Sequence, residues 1–70
     1  MNLTHENLAL VVKKIKQKRE ALHFTQTYMA EKLNISQNGY SKIESGRTNF
    51  SIERLYEIAE ILKVDIKEFF

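Results

Sequence analysis

Apolar residues recur along the chain at spacings of three, four and seven positions, which is the periodicity of an amphipathic α-helix. The first series predicts a helix from about residue 5 to 22, with Thr4 as its N-cap and lysines on the opposite face. No segment shows the strict alternation of a half-buried strand. The pattern therefore predicts an all-α chain. The apolar stripe of the first helix comprises Leu8, Val11 or Val12, Ile15 and Leu22.

Small polar residues and residues that tolerate positive φ divide the rest of the chain into four further helical segments. His23, Asn34 and Gly46 stand where the first three helices end, and each type adopts the left-handed conformation more readily than most residues. We therefore expect five helices, the fifth being a terminal turn. The N-caps predicted for the second to fifth helices are Thr25, Ser36, Ser51 and Asp65.

The second and third helices are separated by a very short turn. Only Asn34 and Ile35 lie between the second helix and the cap of the third, so the two helices must cross steeply. Ala30 supplies the small residue that a close crossing requires. This arrangement predicts a helix-turn-helix centred on residues 25 to 46. The apolar residues on the inner faces of these two helices are Met29, Ala30, Leu33, Tyr40 and Ile43.

Composition narrows the function classes. Seventy residues form one domain with a small core, and the absence of cysteine excludes disulfides, thiolate metal sites and cysteine nucleophiles. The chain has only two histidines, and Glu53, Glu57 and Glu60 have the spacing of a solvated acidic helix face rather than of metal ligands. We expect no enzymatic activity, cofactor, metal or small-molecule ligand. No apolar run approaches the roughly 20 residues of a membrane span, so we expect a cytoplasmic protein.

Charge is distributed unevenly along the chain. Residues 1 to 47 hold eight of the eleven basic and four of the nine acidic residues, whereas residues 48 to 70 hold three basic and five acidic residues. A polyanion would be attracted to the first part and repelled by the second, if the fold places them on different faces. The alternative is a solvated basic face without a partner.

Two segments resemble the phage repressor and Cro-like family, also called the xenobiotic-response-element family: FTQTYMAEKLNISQ at 24–37 and SKIESGR at 41–47. The resemblance extends over LYEIAEIL at 55–62 and VDIKEFF at 64–70, and covers about residues 8 to 70. It implies a five-helix, lambda-repressor-like DNA-binding domain from a bacterium or phage. The sequence departs from the family pattern at His23, Lys63, Phe50 and Gly39.

In such a fold the third helix is the recognition helix, and its exposed residues face base edges in the major groove. An amide side chain matches the edge of adenine, and lysine matches the acceptors of guanine. Gln37 is the first residue after the serine cap, where the resemblance implies a base contact. For Asn38 and Lys42 a phosphate contact is the alternative. The predicted base contacts are Gln37, Asn38, Ser41 and Lys42.

Phosphates are expected at two places. The N-terminus of the second helix offers free N–H groups and a favourable dipole, and Gln26 adds a side-chain donor. The loop after the third helix resembles the second phosphate-binding segment of the family, and Arg47 carries its only full charge. The predicted phosphate contacts are Thr25, Gln26, Ser45, Arg47, Thr48 and Asn49.

The resemblance also implies a structural salt bridge between Arg19 on the first helix and Glu44 at the end of the third. The alternative for Arg19 is direct phosphate contact. Near the C-terminus, Phe70 and Ile61 are the candidate contacts of a homodimer, although both terminal phenylalanines could instead close the monomer core. The function we expect is sequence-specific duplex DNA binding by a dimeric transcriptional repressor. The alternative is a helix-turn-helix used as a protein-interaction module or antitoxin.

Overall fold

The computed structural model describes residues 5–70, with side chains from Asn7 onward, so the predicted cap Thr4 lies outside the described residues. Within this range the chain is all-helical, as predicted. Four α-helices are followed by one short 3₁₀ helix at the position of the predicted terminal turn, so the predicted count of five helices is not matched. The elements are α1 (His5–Ala21), α2 (Gln26–Leu33), α3 (Gln37–Glu44), α4 (Ile52–Leu62) and the 3₁₀ helix (Ile66–Phe69).

The last element is a 3₁₀ helix because a capping box closes a single tight turn. The Asp65 carboxylate accepts from the Lys67 amide at 3.0 Å, and the Glu68 carboxylate accepts from the Asp65 amide at 3.2 Å. The backbone bonds that follow span three residues, such as Glu68 N to Asp65 O at 2.9 Å. This three-residue spacing defines a 3₁₀ helix, whose runs are short.

The other predicted caps are confirmed. The hydroxyls of Thr25, Ser36 and Ser51 each accept from the backbone N–H three residues on, at 2.9, 3.0 and 3.1 Å. Each such bond satisfies an N–H group that the helix itself cannot pair. The predicted left-handed positions are also confirmed, with φ values of 60° at His23, 58° at Asn34 and 74° at Gly46. Lys63 ends α4 with a φ of 57°, a left-handed conformation that glycine adopts more readily than lysine.

The core collects apolar residues from all five elements. Tyr40 and Met29 are fully buried, and Phe69 joins them at 2% exposure, which confirms its expected place in the core. Phe50, in the loop before α4, is half-buried against this cluster. α2 packs mainly against α3, while α1 packs against α3 and α4 packs against α2. The core residues are Val11, Ile15, Met29, Ala30, Leu33, Tyr40, Ile43, Leu55, Ile58, Ala59, Leu62 and Phe69.

The described residues contain neither a membrane-spanning helix nor a metal-binding cluster. None of the helices is long and apolar enough to cross a membrane. Among residues 5–70, no group of three or more histidine and acidic side chains is arranged so that it could hold a metal ion.

Candidate nucleic-acid interface

The outer face of α3 carries uncharged polar groups and one lysine. Gln37, Asn38 and Lys42 are exposed, and Ser41 between them is half-buried. The opposite face of the same helix is anchored in the core by Tyr40 and Ile43. A helix with one buried face and amide groups on the other presents hydrogen-bonding side chains in a fixed frame. The structure thus brings the four predicted base-contacting residues onto one surface.

A buried ion pair joins the end of α3 to α1. Arg19 Nε donates to Glu44 Oε2 at 2.7 Å, and Arg19 Nη2 donates to Glu44 Oε1 at 3.1 Å. The Arg19 and Glu44 side chains are only 10% and 3% exposed. Arg19 Nη1 also donates to the Phe24 carbonyl at 2.7 Å. The guanidinium is therefore turned inward, which disfavours the alternative of a direct phosphate contact.

The same carboxylate also contacts α2. Gln26 Nε2 donates to Glu44 Oε1 at 3.3 Å, so one acidic side chain links the first three helices. We call Arg19, Gln26 and Glu44 the Glu44 cluster. Sequence reasoning placed Gln26 on a phosphate; in the structure one of its two amide protons is directed at Glu44. No signal in the sequence indicated this third contact, because it depends on how α2 crosses α3.

Tyr40 lies beside the Glu44 cluster. Burial, together with the neighbouring Glu44 carboxylate, raises the pKa of the Tyr40 hydroxyl well above its ordinary value. The hydroxyl is buried and has no hydrogen-bond partner of good geometry among the described residues. Hydrogen bonding to Glu44 in turn raises the pKa of Arg19, so the guanidinium remains charged. The ion pair and the neutral phenol therefore lie side by side beneath α3.

The residues predicted to contact phosphate lie at two edges of this surface. Thr25 uses its hydroxyl oxygen as an acceptor in capping α2, which leaves the hydroxyl proton outside that bond. After α3, Ser45 Oγ donates to the Lys42 carbonyl at 3.0 Å and Thr48 Oγ1 donates to the Asn49 carbonyl at 3.4 Å. Arg47 and Asn49 are exposed. The phosphate contacts themselves stay predictions.

One contact within the surface was not anticipated from sequence. Thr27 Oγ1, on the first turn of α2, donates to Gln37 Oε1 at 3.0 Å. Both side chains are exposed. A hydroxyl ten positions before an amide carries no recognisable motif, because only the helix crossing brings the two together.

The two candidate dimer residues do not lie in the same recess. Ile61 is half-buried beside Tyr28 and Glu57, between α2 and α4. Phe70 is 49% exposed and shares a recess with Leu10 of α1, which is 58% exposed. Phe70 was predicted to be a surface contact, but exposed Leu10 was not, because the sequence pattern indicated lysines on the exposed face of α1.

Comparison with known families agrees with this geometry. A family model described as helix-turn-helix matches residues 15–69, which include all of α2, α3 and α4. The chain belongs to this family. It is the helix-turn-helix family of phage repressor and Cro-like proteins that the motifs at 24–37 and 41–47 resemble. The match includes Arg19 and Glu44 but not the first ten residues of α1.

Two relatives have names that refer to transcriptional regulation. The chain is 38% identical over 66 residues to an uncharacterized transcriptional regulator in the ATPase CF(0) region of Rhodospirillum rubrum, covering 94% of this chain and 61% of the relative. It is 34% identical over 58 residues to the cryptic phage CTXphi transcriptional repressor RstR of Vibrio cholerae, covering 83% of this chain and 52% of that protein. The chain thus spans a little over half the length of these relatives. No solved structure matches it significantly.

Proposed function

We propose that this chain binds duplex DNA sequence-specifically, with α3 in the major groove, and acts as a dimeric transcriptional repressor. The observation that carries the proposal is the outer face of α3. It exposes Gln37 and Asn38 at the start of the helix and Lys42 one turn later, while Tyr40 and Ile43 hold the opposite face in the core. Amide groups at the N-terminal end of a recognition helix are suited to base edges.

Phosphate contacts position the helix in this proposal. The free N–H groups at the start of α2 bind one phosphate, with Thr25 contributing its hydroxyl and Gln26 its second amide proton. Ser45, Arg47, Thr48 and Asn49 contact the backbone on the other side of α3, and only Arg47 among them is charged. These contacts supply affinity, whereas Gln37, Asn38, Ser41 and Lys42 supply specificity.

The acidic face of α4 supports the same orientation. Glu53, Glu57 and Glu60 are all exposed, and Arg54, which pairs with Glu57, offsets only one of these three charges. DNA approaching this face would therefore meet net negative charge. A basic or neutral polar face toward DNA and an acidic face away from it orients the domain during association.

A homodimer is the second part of the proposal. Two copies related by a two-fold axis would place their recognition helices about 34 Å apart, one turn of DNA, on an inverted repeat. Phe70 is the stronger of the two candidate contacts because it is 49% exposed, whereas Ile61 is less exposed.

Selection from a library of duplexes randomised over about 30 base pairs, at about 100 mM salt, tests the proposal. Wild type is expected to enrich an inverted repeat, and Gln37→Ala is expected to lose preference at one base pair of each half-site. Gln17→Ala is the matched control, because Gln17 is an exposed glutamine of α1 in the recess near Val64 and Phe69. Absence of enrichment, with no mobility shift even at about 20 mM salt, would overturn DNA binding and favour the protein-interaction module.

A further inference from the structure

We propose that Thr27 is a positioning residue that holds Gln37 ready for base recognition, and that it acts on DNA specificity only through Gln37. Thr27 is the second residue of α2, and Gln37 is the first residue of α3. The 3.0 Å hydrogen bond from Thr27 Oγ1 to Gln37 Oε1 spans the turn between the two helices. The inference rests on the proposed function, in which Gln37 contacts a base.

The physical basis is the flexibility of an exposed glutamine. A free glutamine side chain samples many rotamers, and ordering it against a base costs conformational entropy at the moment of binding. The bond to Thr27 restricts the amide before DNA arrives. The Gln37 amide oxygen has a second lone pair and the amide nitrogen keeps both of its protons, so Gln37 can still pair with a base edge while it is bonded to Thr27.

The bond also makes a phosphate contact by the Thr27 hydroxyl unfavourable. A threonine hydroxyl has one proton, and the proton of Thr27 is directed at Gln37. A phosphate has only acceptor oxygens, so Thr27 cannot donate to it without releasing Gln37. Thr25, two residues earlier, differs because its hydroxyl acts as an acceptor in the cap. The two threonines at the start of α2 thus have separate roles.

The variant Thr27→Val tests the inference because valine has the shape and β-branching of threonine without its hydroxyl. Since Thr27 is exposed, the substitution is expected to leave the fold unchanged. Thr27→Ser keeps the hydroxyl and is the conservative control. In selections from the randomised duplex library, Thr27→Val should lower preference at the Gln37 base pair about two- to tenfold, the worth of one hydrogen bond, and Thr27→Ser should restore most of it.

A double-mutant cycle separates positioning from phosphate contact. In the Gln37→Ala background, Thr27→Val is expected to have no further effect on any sequence. The inference is overturned if Thr27→Val has the wild-type base preference. It is equally overturned if Thr27→Val weakens binding to all sequences by the same factor in both backgrounds, which a phosphate ligand would do.

A measurement without DNA distinguishes failure of the inference from failure of the proposed function. The ¹H–¹⁵N heteronuclear NOE of the Gln37 side-chain amide should show restricted motion in wild type and become like that of exposed Gln17 in Thr27→Val. Equal mobility of Gln37 and Gln17 in the wild-type chain would overturn the positioning role, whatever the protein binds. Restricted Gln37 with no enriched duplex would overturn the proposed function, and with it the role of Thr27 in DNA specificity.

Discussion

Under α3, the Glu44 carboxylate is 3% exposed and accepts hydrogen bonds from Arg19 and Gln26. On α4, the Glu57 carboxylate is 54% exposed and pairs with Arg54 of the same helix at 3.3 Å. The buried carboxylate ties three helices together, whereas the exposed one joins neighbouring turns of a single helix. A charge inside the protein must be matched in place, and its partners therefore determine helix packing. A charge outside is already solvated, so its main effect is on what approaches the surface.

The difference between the two carboxylates shows that this small domain uses a buried charge to hold its helices together and exposed charges to shape its surface potential. The acid of α3, Glu44, is buried, and the outer face of this helix carries amides, a hydroxyl and a lysine. The side of α4 leaves its acids in solvent. A domain of this size therefore achieves a polarised surface without a large net charge, which is only +2. Three predictions follow from this contrast, in order of decreasing effect.

Removing one partner of the buried pair is expected to have the largest effect. Glu44→Gln leaves the Arg19 guanidinium buried without its counter-charge, and the free energy of unfolding should fall by about 3–5 kcal/mol. Glu57→Gln is the matched control and should change it by no more than about 0.5 kcal/mol. Urea denaturation followed by circular dichroism measures both.

A second variant distinguishes the effect of an unpaired buried charge from a general loss of folding. Arg19→Met combined with Glu44→Leu removes both charges together, and it should be more stable than Glu44→Gln because no buried charge is left unpaired. Equal stability of Glu44→Gln and Glu57→Gln would contradict this prediction, because it would show that the buried and the exposed carboxylate contribute equally to the free energy of unfolding.

The next largest effect, on DNA affinity, is expected from Arg47, the exposed basic residue in the loop after α3. Arg47→Ala should weaken binding to every duplex uniformly and reduce the slope of log K against log salt by about 0.9 per protomer, the value for one phosphate. Extrapolated from 1 M salt, this is a loss of roughly eightfold per protomer at 0.1 M, and of roughly sixtyfold, or about 2.4 kcal/mol, for the proposed dimer. Lys67→Ala is the control, because it removes an exposed lysine from the 3₁₀ helix, which packs against α1 and α4 and not against α3. Fluorescence anisotropy at several salt concentrations gives the slopes, and an equal change for both variants would contradict the proposed orientation.

The smallest predicted effect is a loss of stability at high pH. Burial raises the pKa of Tyr40 above the value of about 10 that it has in the unfolded chain, so folding favours the protonated phenol. This contribution is fully present below pH 10 and is lost as pH rises from 10 toward the folded pKa, by about 1.4 kcal/mol between pH 9 and 11. Tyr40→Phe should lose less over that interval than wild type.

The matched control for the pH prediction is Tyr56→Phe, which alters an exposed tyrosine on α4. Its free energy of unfolding should follow the wild-type curve between pH 9 and 11. A Tyr40→Phe variant that also follows the wild-type curve would mean that the buried phenol contributes nothing to the alkaline loss.

Local signals were sufficient to predict most of the fold. A cap is formed by a side chain and a backbone N–H a few residues apart, so Thr25, Ser36 and Ser51 could be assigned without knowing the rest of the structure. The terminal turn was also located correctly, through Asp65. It was counted as a fifth helix, but the Asp65 and Glu68 capping box closes only a single 3₁₀ turn.

The candidate site was predictable only in part, because its side chains interact across helices. The exposed face of α3 follows from its buried face, since the two are fixed by one helical period. The contacts of Gln26 with Glu44 and of Thr27 with Gln37 depend instead on the crossing of α2 and α3. The exposed Leu10 beside Phe70 was likewise missed, because the C-terminal turn had to be placed against α1 first.

The central claim is that DNA binds to the α3 side and not to the α4 side. It is tested most directly by titrating ¹⁵N-labelled chain with the selected duplex at about 100 mM salt and following backbone amide shifts. We expect the largest changes at Gln37, Asn38 and Lys42, with the amide shifts of Glu53 and Glu60 nearly unchanged. Changes centred on Glu53 and Glu60, or spread evenly over both sides, would contradict it.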